Sequence, residues 1–219
     1  MTRLPLVLAC LLAFPAVAAQ GDIDKVNGSI TIDASQTAGA LETVNGSIRI
    51  GASATVRDAE TVNGSITVDS NARTGSLETV NGSVRLGETV AVDGGIETVN
   101  GSVYVGRKGR VDGDVETVNG AIGLVDADLA GGIETVNGDT TVGAGSHVAG
   151  GIRYTKPTGN WNRWQAKRKP RVIVGPNARV DGALVFEHPV DLYVHATART
   201  GAITGATAVR FSTDRAPVK

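Results

Sequence analysis

The chain has 219 residues, with 21 Lys+Arg against 22 Asp+Glu, 29 glycines and 4% aromatic residues. That length suits one sizeable domain. The composition excludes the thick interior of an ordinary globular domain, which Leu and Phe fill; valine, isoleucine and alanine are left to fill a thin core between narrow strands.

Residues 1–19 follow the plan of a secretory signal peptide: Arg3 supplies a positive start, Leu4 to Phe14 an apolar run, and Ala16-Val17-Ala18-Ala19 the small residues of a cleavage site. Cleavage is expected after Ala18 or Ala19, placing the mature chain in the periplasm, at the outer membrane or outside the cell. The run is too short for a comfortable membrane span. Cys10 is the only cysteine, and Val7-Leu8-Ala9-Cys10 loosely resembles a lipoprotein cleavage box. We read Cys10 as apolar filler within the signal. The mature chain then has no disulfide and depends on its backbone ladder and packing.

From residue 20 a repeat dominates. Val-Asn-Gly begins at Val26, Val44, Val62, Val80, Val99, Val118 and Val136, in steps of 18 or 19 residues. Such a period decides the architecture before any other signal. Glycines, Asn-Gly dipeptides and β-branched residues all disfavour helix. Ser29-Ile30-Thr31-Ile32 and Ser102-Val103-Tyr104-Val105 alternate polar and apolar, the period of a strand with one buried face. Asn-Gly permits positive φ and so a sharp corner.

Hairpins in a sandwich or barrel would also suit short strands. Stacked coils explain more, because stacking puts like on like and every corner then needs the same residues. The expected fold is an all-β, single-stranded β-solenoid (β-helix) of about nine coils, triangular in section, roughly 43 Å long at ~4.8 Å per coil. Expected inward positions are Ile30, Ile32, Ile48, Ile50, Ile66, Val68, Val84, Leu86, Val103 and Val105, joined by Leu41, Leu77, Ile96, Val115 and Ile133. Either Thr or Val of Thr-Val-Asn-Gly can point inward. The three-residue step from Leu41 to Val44 suggests a bend between them.

Glu97-Thr-Val-Asn-Gly-Ser-Val-Tyr-Val resembles the adhesin-type β-strand-repeat proteins of bacteria. Val174-Gly-Pro-Asn-Ala-Arg-Val-Asp-Gly-Ala-Leu-Val-Phe186 and Gly205-Ala-Thr-Ala-Val-Arg-Phe211 resemble the coils of bactofilin-like polymer-forming proteins. The resemblance covers nearly all the mature chain and implies a β-solenoid. It brings no catalytic residues to transfer.

Regular coils are expected over 20–153, a basic insertion over 154–170, divergent coils over 171–211 and a tail over 212–219. Residues 20–153 hold 9 Lys+Arg and 18 Asp+Glu, a net of −9, whereas residues 154–219 hold 11 and 4, a net of +7. Overall neutrality hides this asymmetry.

Three features are candidates for function. Asp24, Glu42, Glu60, Glu78, Glu97, Glu116 and Glu134 hold one place in seven coils, and Arg153 ends the run. Stacked like charges destabilise, so the column is either a stripe for cations or a basic partner, or a solvated edge kept acidic for solubility; we favour the edge. Asn27, Asn45, Asn63, Asn81, Asn100, Asn119 and Asn137 read as a corner ladder of amides. Five of them are Asn-Gly-Ser and match a glycosylation sequon, a match that the turn chemistry already explains. The insertion places Trp161 and Trp164 among Lys156, Arg163, Lys167, Arg168, Lys169 and Arg171. Basic and aromatic residues interleaved can bind anionic polymers. For an exported protein that means anionic glycan, lipopolysaccharide or a membrane surface, and not nucleic acid.

His147, His188 and His195 are scattered in the sequence without partners at metal-ligand spacing, and no nucleophile elbow or phosphate loop occurs. No catalytic residue, metal or cofactor is assigned. A polysaccharide-active β-helix enzyme would need its acids clustered in one groove, and here they stand one per coil. The expectation is an exported, non-enzymatic scaffold or adhesin-like binding protein of the envelope, with end-to-end self-assembly as the alternative.

Overall fold

The structure, a computed structural model, describes residues 20–156 and 168–217. Among them every regular element is a strand, and the strands form three parallel sheets. The first face has ten strands, from Ile23–Asn27 to Ile203–Thr204; the second has ten, from Ile30–Ile32 to Ala208–Phe211; the third has nine, from Thr37–Ala38 to Arg199–Thr200. Neighbours within each sheet belong to successive coils, so the chain is a β-solenoid of about ten turns. The turn beyond the expected nine is the least regular: the strands Leu184–Phe186 and Asp191–His195 form one coil, and Ile203–Thr204 and Ala208–Phe211 the next.

Register puts like on like. Ile30 pairs with Ile48 and Ile48 with Ile66, while Ala59, Leu77 and Ile96 follow one another on the first face. All fifteen expected inward residues are buried. The third face adds a core column that the repeat did not reveal: Val56, Thr74, Val92, Val111, Leu129, Val148 and Val180.

The first-face strand Leu41–Asn45 alternates without a bend. Leu41 and Thr43 face inward, while Glu42 and Val44 face outward. Threonine therefore takes the core position, and the valine of the motif is solvent-facing: Val44, Val80 and Val99 are 40–41% exposed. A buried hydroxyl needs a partner, and stacking supplies one. Thr43, Thr61, Thr79, Thr98 and Thr117 donate through Oγ1 to the carbonyls of Gly28, Gly46, Gly64, Gly82 and Gly101 in the preceding coil, at 2.8–3.1 Å.

The corners correct one expectation. Among the glycines of Val-Asn-Gly, positive φ occurs only at Gly28, in the first coil. From the second coil on, glycine is needed for close approach: a Cβ on Gly82 would sit 1.9 Å from the Gly64 carbonyl oxygen, and one on Gly120 1.9 Å from that of Gly101. The left-handed residues lie at a different corner, before the third face, at Ser35, Ser53, Asn71, Thr89, Lys108, Asp126 and Asn177. Each is in the αL region, which costs a non-glycine residue about 1 kcal/mol, least at Asn71, Asp126 and Asn177 and most at the β-branched Thr89.

The asparagine ladder is continuous. Each Nδ2 donates to the Oδ1 of the asparagine one coil earlier, from Asn45 onto Asn27 through to Asn137 onto Asn119, at 3.0–3.3 Å. A serine ladder runs beside it: Ser29, Ser47, Ser65, Ser83 and Ser102 each accept, through Oγ, the backbone N–H of the matching residue in the next coil. All three residues of Asn-Gly-Ser thus have a structural reason to be present.

Candidate functional site

Two places depart from simple packing: the outer surface of the first face, and the break after the seventh coil.

On the first face, Asp24, Glu42, Glu60, Glu78, Glu97, Glu116 and Glu134 stand in direct register, followed by Arg153. Beside them runs the outward valine row of Val26, Val44, Val62, Val80, Val99, Val118 and Val136. Between the two rows lies a shallow trough of about 320 Å³ over the coils from Glu60 to Glu134. A second hollow of about 310 Å³ carries it on to Asp24 and Val26. Both rows stop together at the eighth coil, where Arg153 and Thr155 occupy their places.

The ion pairs among the described residues leave this column out. Arg49 pairs with Asp69 at 2.7 Å and Arg73 with Asp93 at 2.8 Å. Arg57 lies near Asp22 and Asp58, and Arg110 pairs with Asp112. Among the described residues none of the seven stacked carboxylates forms an ion pair, although Lys25 lines the hollow beside Asp24 and Glu42 and Arg153 follows Glu134 in register. Partial burial, then the neighbours Glu97 and Glu60, raise the Glu78 carboxyl above its ordinary pKa. Burial, then Glu97 and Glu134, do the same at Glu116. Among the described residues no group of three or more His, Cys, Asp or Glu side chains is arranged to hold a metal ion.

The break lies at the asparagine corner of the eighth coil. Tyr154, expected at the start of the insertion, belongs to the first-face strand Ile152–Tyr154 and occupies the inward threonine position. Its hydroxyl donates to the Gly138 carbonyl at 2.7 Å and meets Thr140 Oγ1 at 2.7 Å. It thereby takes the role of the threonine hydroxyls below, and burial pushes its own ionisation well up. The chain resumes on the second face with the strand Arg171–Val174, in register with Thr140–Val142.

Both roots of the insertion are tied to other coils. The departing strand is held from above: Glu187 accepts the Lys156 backbone N–H at 3.2 Å and lies 3.5 Å from the Arg153 guanidinium. The returning segment is held from below by Asp139, which accepts the Arg171 N–H at 2.8 Å through one oxygen and pairs with Arg168 at 2.7 Å through the other. Asp139 stands where earlier coils carry the ladder serine, so one carboxylate does the serine's work and anchors the insertion too. His188 closes the corner, with Nε2 2.8 Å from the Val136 carbonyl and its ring 5.8 Å from that of Tyr154.

Of the eight basic and aromatic residues proposed for the loop, Trp161, Arg163, Trp164 and Lys167 lie outside the described residues. Arg168 is engaged by Asp139. Arg171 stacks over Tyr193 at 5.0 Å and donates to the carbonyls of Ala216, at 3.2 Å, and Pro217. Lys156 and Lys169 are exposed. Sequence reasoning missed Asp139, Glu187 and His188. For Asp139 a signal existed, since Asn137-Gly138-Asp139 is the one corner with an acid in the serine place.

The three histidines do not converge. His147 sits on the third face 3.0 Å from Asp181 and 3.9 Å from Asp128, and His195 bonds Thr197. Comparisons with protein-family models, with curated proteins and with solved structures return no match.

Proposed function

We propose that this chain is an exported, non-enzymatic β-solenoid scaffold of the bacterial envelope, adhesin-like in the sense that a rigid rod displays one binding element. That element is the basic break after the seventh coil, and its ligand is an anionic glycan, lipopolysaccharide or an anionic membrane surface. One observation carries the reading: the asparagine ladder ends at Asn137, and the corner that follows it is clamped from both sides by Asp139 and Glu187. A loop of no consequence needs no such anchoring, and functional residues gather on loops held by rigid scaffolds. Arg168 and Arg171 serve the anchor, which leaves Lys156, Arg163, Lys167 and Lys169, with Trp161 and Trp164, to meet the ligand. Replacing both tryptophans by Ala should weaken co-sedimentation with phosphatidylglycerol vesicles and with lipopolysaccharide about tenfold, a loss of ~1.4 kcal/mol, without lowering the melting temperature. Unchanged binding contradicts the reading.

The open ends favour a second reading. Ile30–Ile32 and Ala208–Phe211 each pair on one side only, and unpaired strand edges recruit further strands. End-to-end self-assembly of the bactofilin-like kind follows, helped by the opposite charges of the two halves. Sizing chromatography at low and high salt tests it: assembly at low salt supports it, and a monomer there contradicts it.

A further inference from the structure

We propose that the trough on the first face is the docking surface for a cationic amphipathic helix of a partner protein. This rests on a different surface from the basic break and stands or falls independently of it.

The starting observation is the apolar row. Val80, Val99 and Val118 are 40%, 40% and 37% exposed, in a straight line one coil apart. A soluble rod gains nothing from a continuous exposed valine stripe, and such patches mark interaction sites. The second-face strands of the first four coils carry Thr31, Arg49, Thr67 and Arg85 at the matching outward place, so an outward valine in every coil is not forced by the strand itself.

Charge then selects the occupant. Among the described residues the parallel row of carboxylates forms no ion pair, although aspartates elsewhere on the rod are paired with arginine; Lys25, at one end of the trough, is bonded to the Ser29 carbonyl. A second copy of this chain laid face to face would oppose seven carboxylates with seven more. An anionic bilayer would be repelled likewise. A partner that presents apolar and cationic rows side by side satisfies both stripes.

Spacing decides between helix and strand. The rows repeat every ~4.8 Å along the rod. A helix laid along the axis presents a side chain on a given stripe about every 5.4 Å, one per turn. An extended strand does so about every 6.7 Å, two residues apart. Across the six steps from Asp24 to Glu134 the helix falls out of step by roughly 4 Å, within the reach of a lysine stem, and the strand by roughly 11 Å. The span of roughly 29 Å matches a helix of about 19 residues.

The test uses the full chain lacking residues 1–19 and fluorescence anisotropy of three synthetic peptides of about 19 residues: a Leu/Lys peptide with helical periodicity, a strictly alternating Leu/Lys peptide of the same composition, and a Lys homopolymer. The helical peptide is expected to bind at least about tenfold more tightly than either control. Replacing Val80, Val99 and Val118 together by Ser is expected to weaken it about tenfold. Replacing Glu78, Glu97 and Glu116 together by Gln should do the same and flatten its salt dependence. The glutamine variant relieves like-charge repulsion and so keeps its fold, which a melting curve verifies. Equal binding of all three peptides, no binding of the helical one, or undiminished binding by either triple variant overturns the proposal.

Discussion

At the scale of single residues, the repeat places two threonines in the same kind of core and treats them differently. Thr61 donates to the Gly46 carbonyl at 2.8 Å. Thr74, equally buried on the third face between Val56 and Val92, has an Oγ1 with no partner. Valine has nearly the same shape, so the pair isolates the hydroxyl. Thr74→Val should raise stability by about 1 kcal/mol, because an unsatisfied buried hydroxyl costs about that much. Thr61→Val should lower it by about 1 kcal/mol, since it orphans a carbonyl. Denaturant titration of the two variants checks both signs. Close approach gives a larger effect. With its Cβ 1.9 Å from the Gly64 carbonyl oxygen, Gly82→Ala must push two coils apart and should cost about 2 kcal/mol or more.

These residues also mark what the chain did and did not disclose in advance. The inward positions of the first two faces were legible, because Ile-x-Ile alternation in a fixed period leaves them no other place. Thr against Val in Thr-Val-Asn-Gly was not, since both are β-branched and suit a strand; the tie was broken by the Gly carbonyl of the coil below, a contact between residues 15 or 16 apart. The left-handed corner was hidden because Ser35, Asn71, Thr89, Lys108 and Asp126 share a conformation but no residue type. Asn-Gly drew attention to the wrong corner, since its glycine answers to a stacking distance and not to φ.

At the scale of the elements, the carboxylate column sets stability against surface function. Glu78 and Glu116 ionise above the ordinary range, through burial first and neighbouring glutamates second. A carboxyl whose pKa is raised on folding binds protons more readily in the folded chain. Its contribution is therefore favourable below its unfolded pKa and is lost as pH rises through the folded one. Glu78→Gln with Glu116→Gln should raise stability at pH 7 by about 0.5–1 kcal/mol, and that gain should shrink as pH falls toward about 4, where the native carboxyls take up protons. Melting curves across this range test the sign. Asp22 and Asp181 run the opposite way. The Ala40 N–H and then Arg57 lower the first, and the His147 and Arg179 bonds lower the second, so the intact chain need not show the column's trend by itself.

The triangular section implied a third face, but its inward residues were not legible. Its strands are two residues long, such as Thr55–Val56 and Arg110–Val111, too short for alternation to register. The eighth coil was half legible. The basic, tryptophan-bearing stretch announced itself by composition, and the change of charge marked its place. Tyr154 read as the start of the loop because nothing in the repeat has an aromatic there. Its hydroxyl nonetheless reaches the Gly138 carbonyl as a threonine would, which keeps the wall of the rod closed where the chain departs.

At the scale of the whole molecule, about ten coils at ~4.8 Å give a rod of roughly 48 Å. It is held by three sheets, an asparagine ladder and a serine ladder, all made of contacts between adjacent coils. In such a molecule nearest-neighbour contacts carry the stability and insertions fall on the corners. On the proposed function the rod is scaffold, and the break after the seventh coil is where it meets anionic glycan or membrane. Replacing residues 155–171 by Val-Asn-Gly-Ser would rebuild the regular corner between Tyr154 and Val172, and vesicle co-sedimentation of that chain is the most direct test. We predict a rod that melts cooperatively, at or above the temperature of the native chain, and no longer sediments with phosphatidylglycerol vesicles or lipopolysaccharide. A folded rod that binds them as the native chain does would contradict the claim.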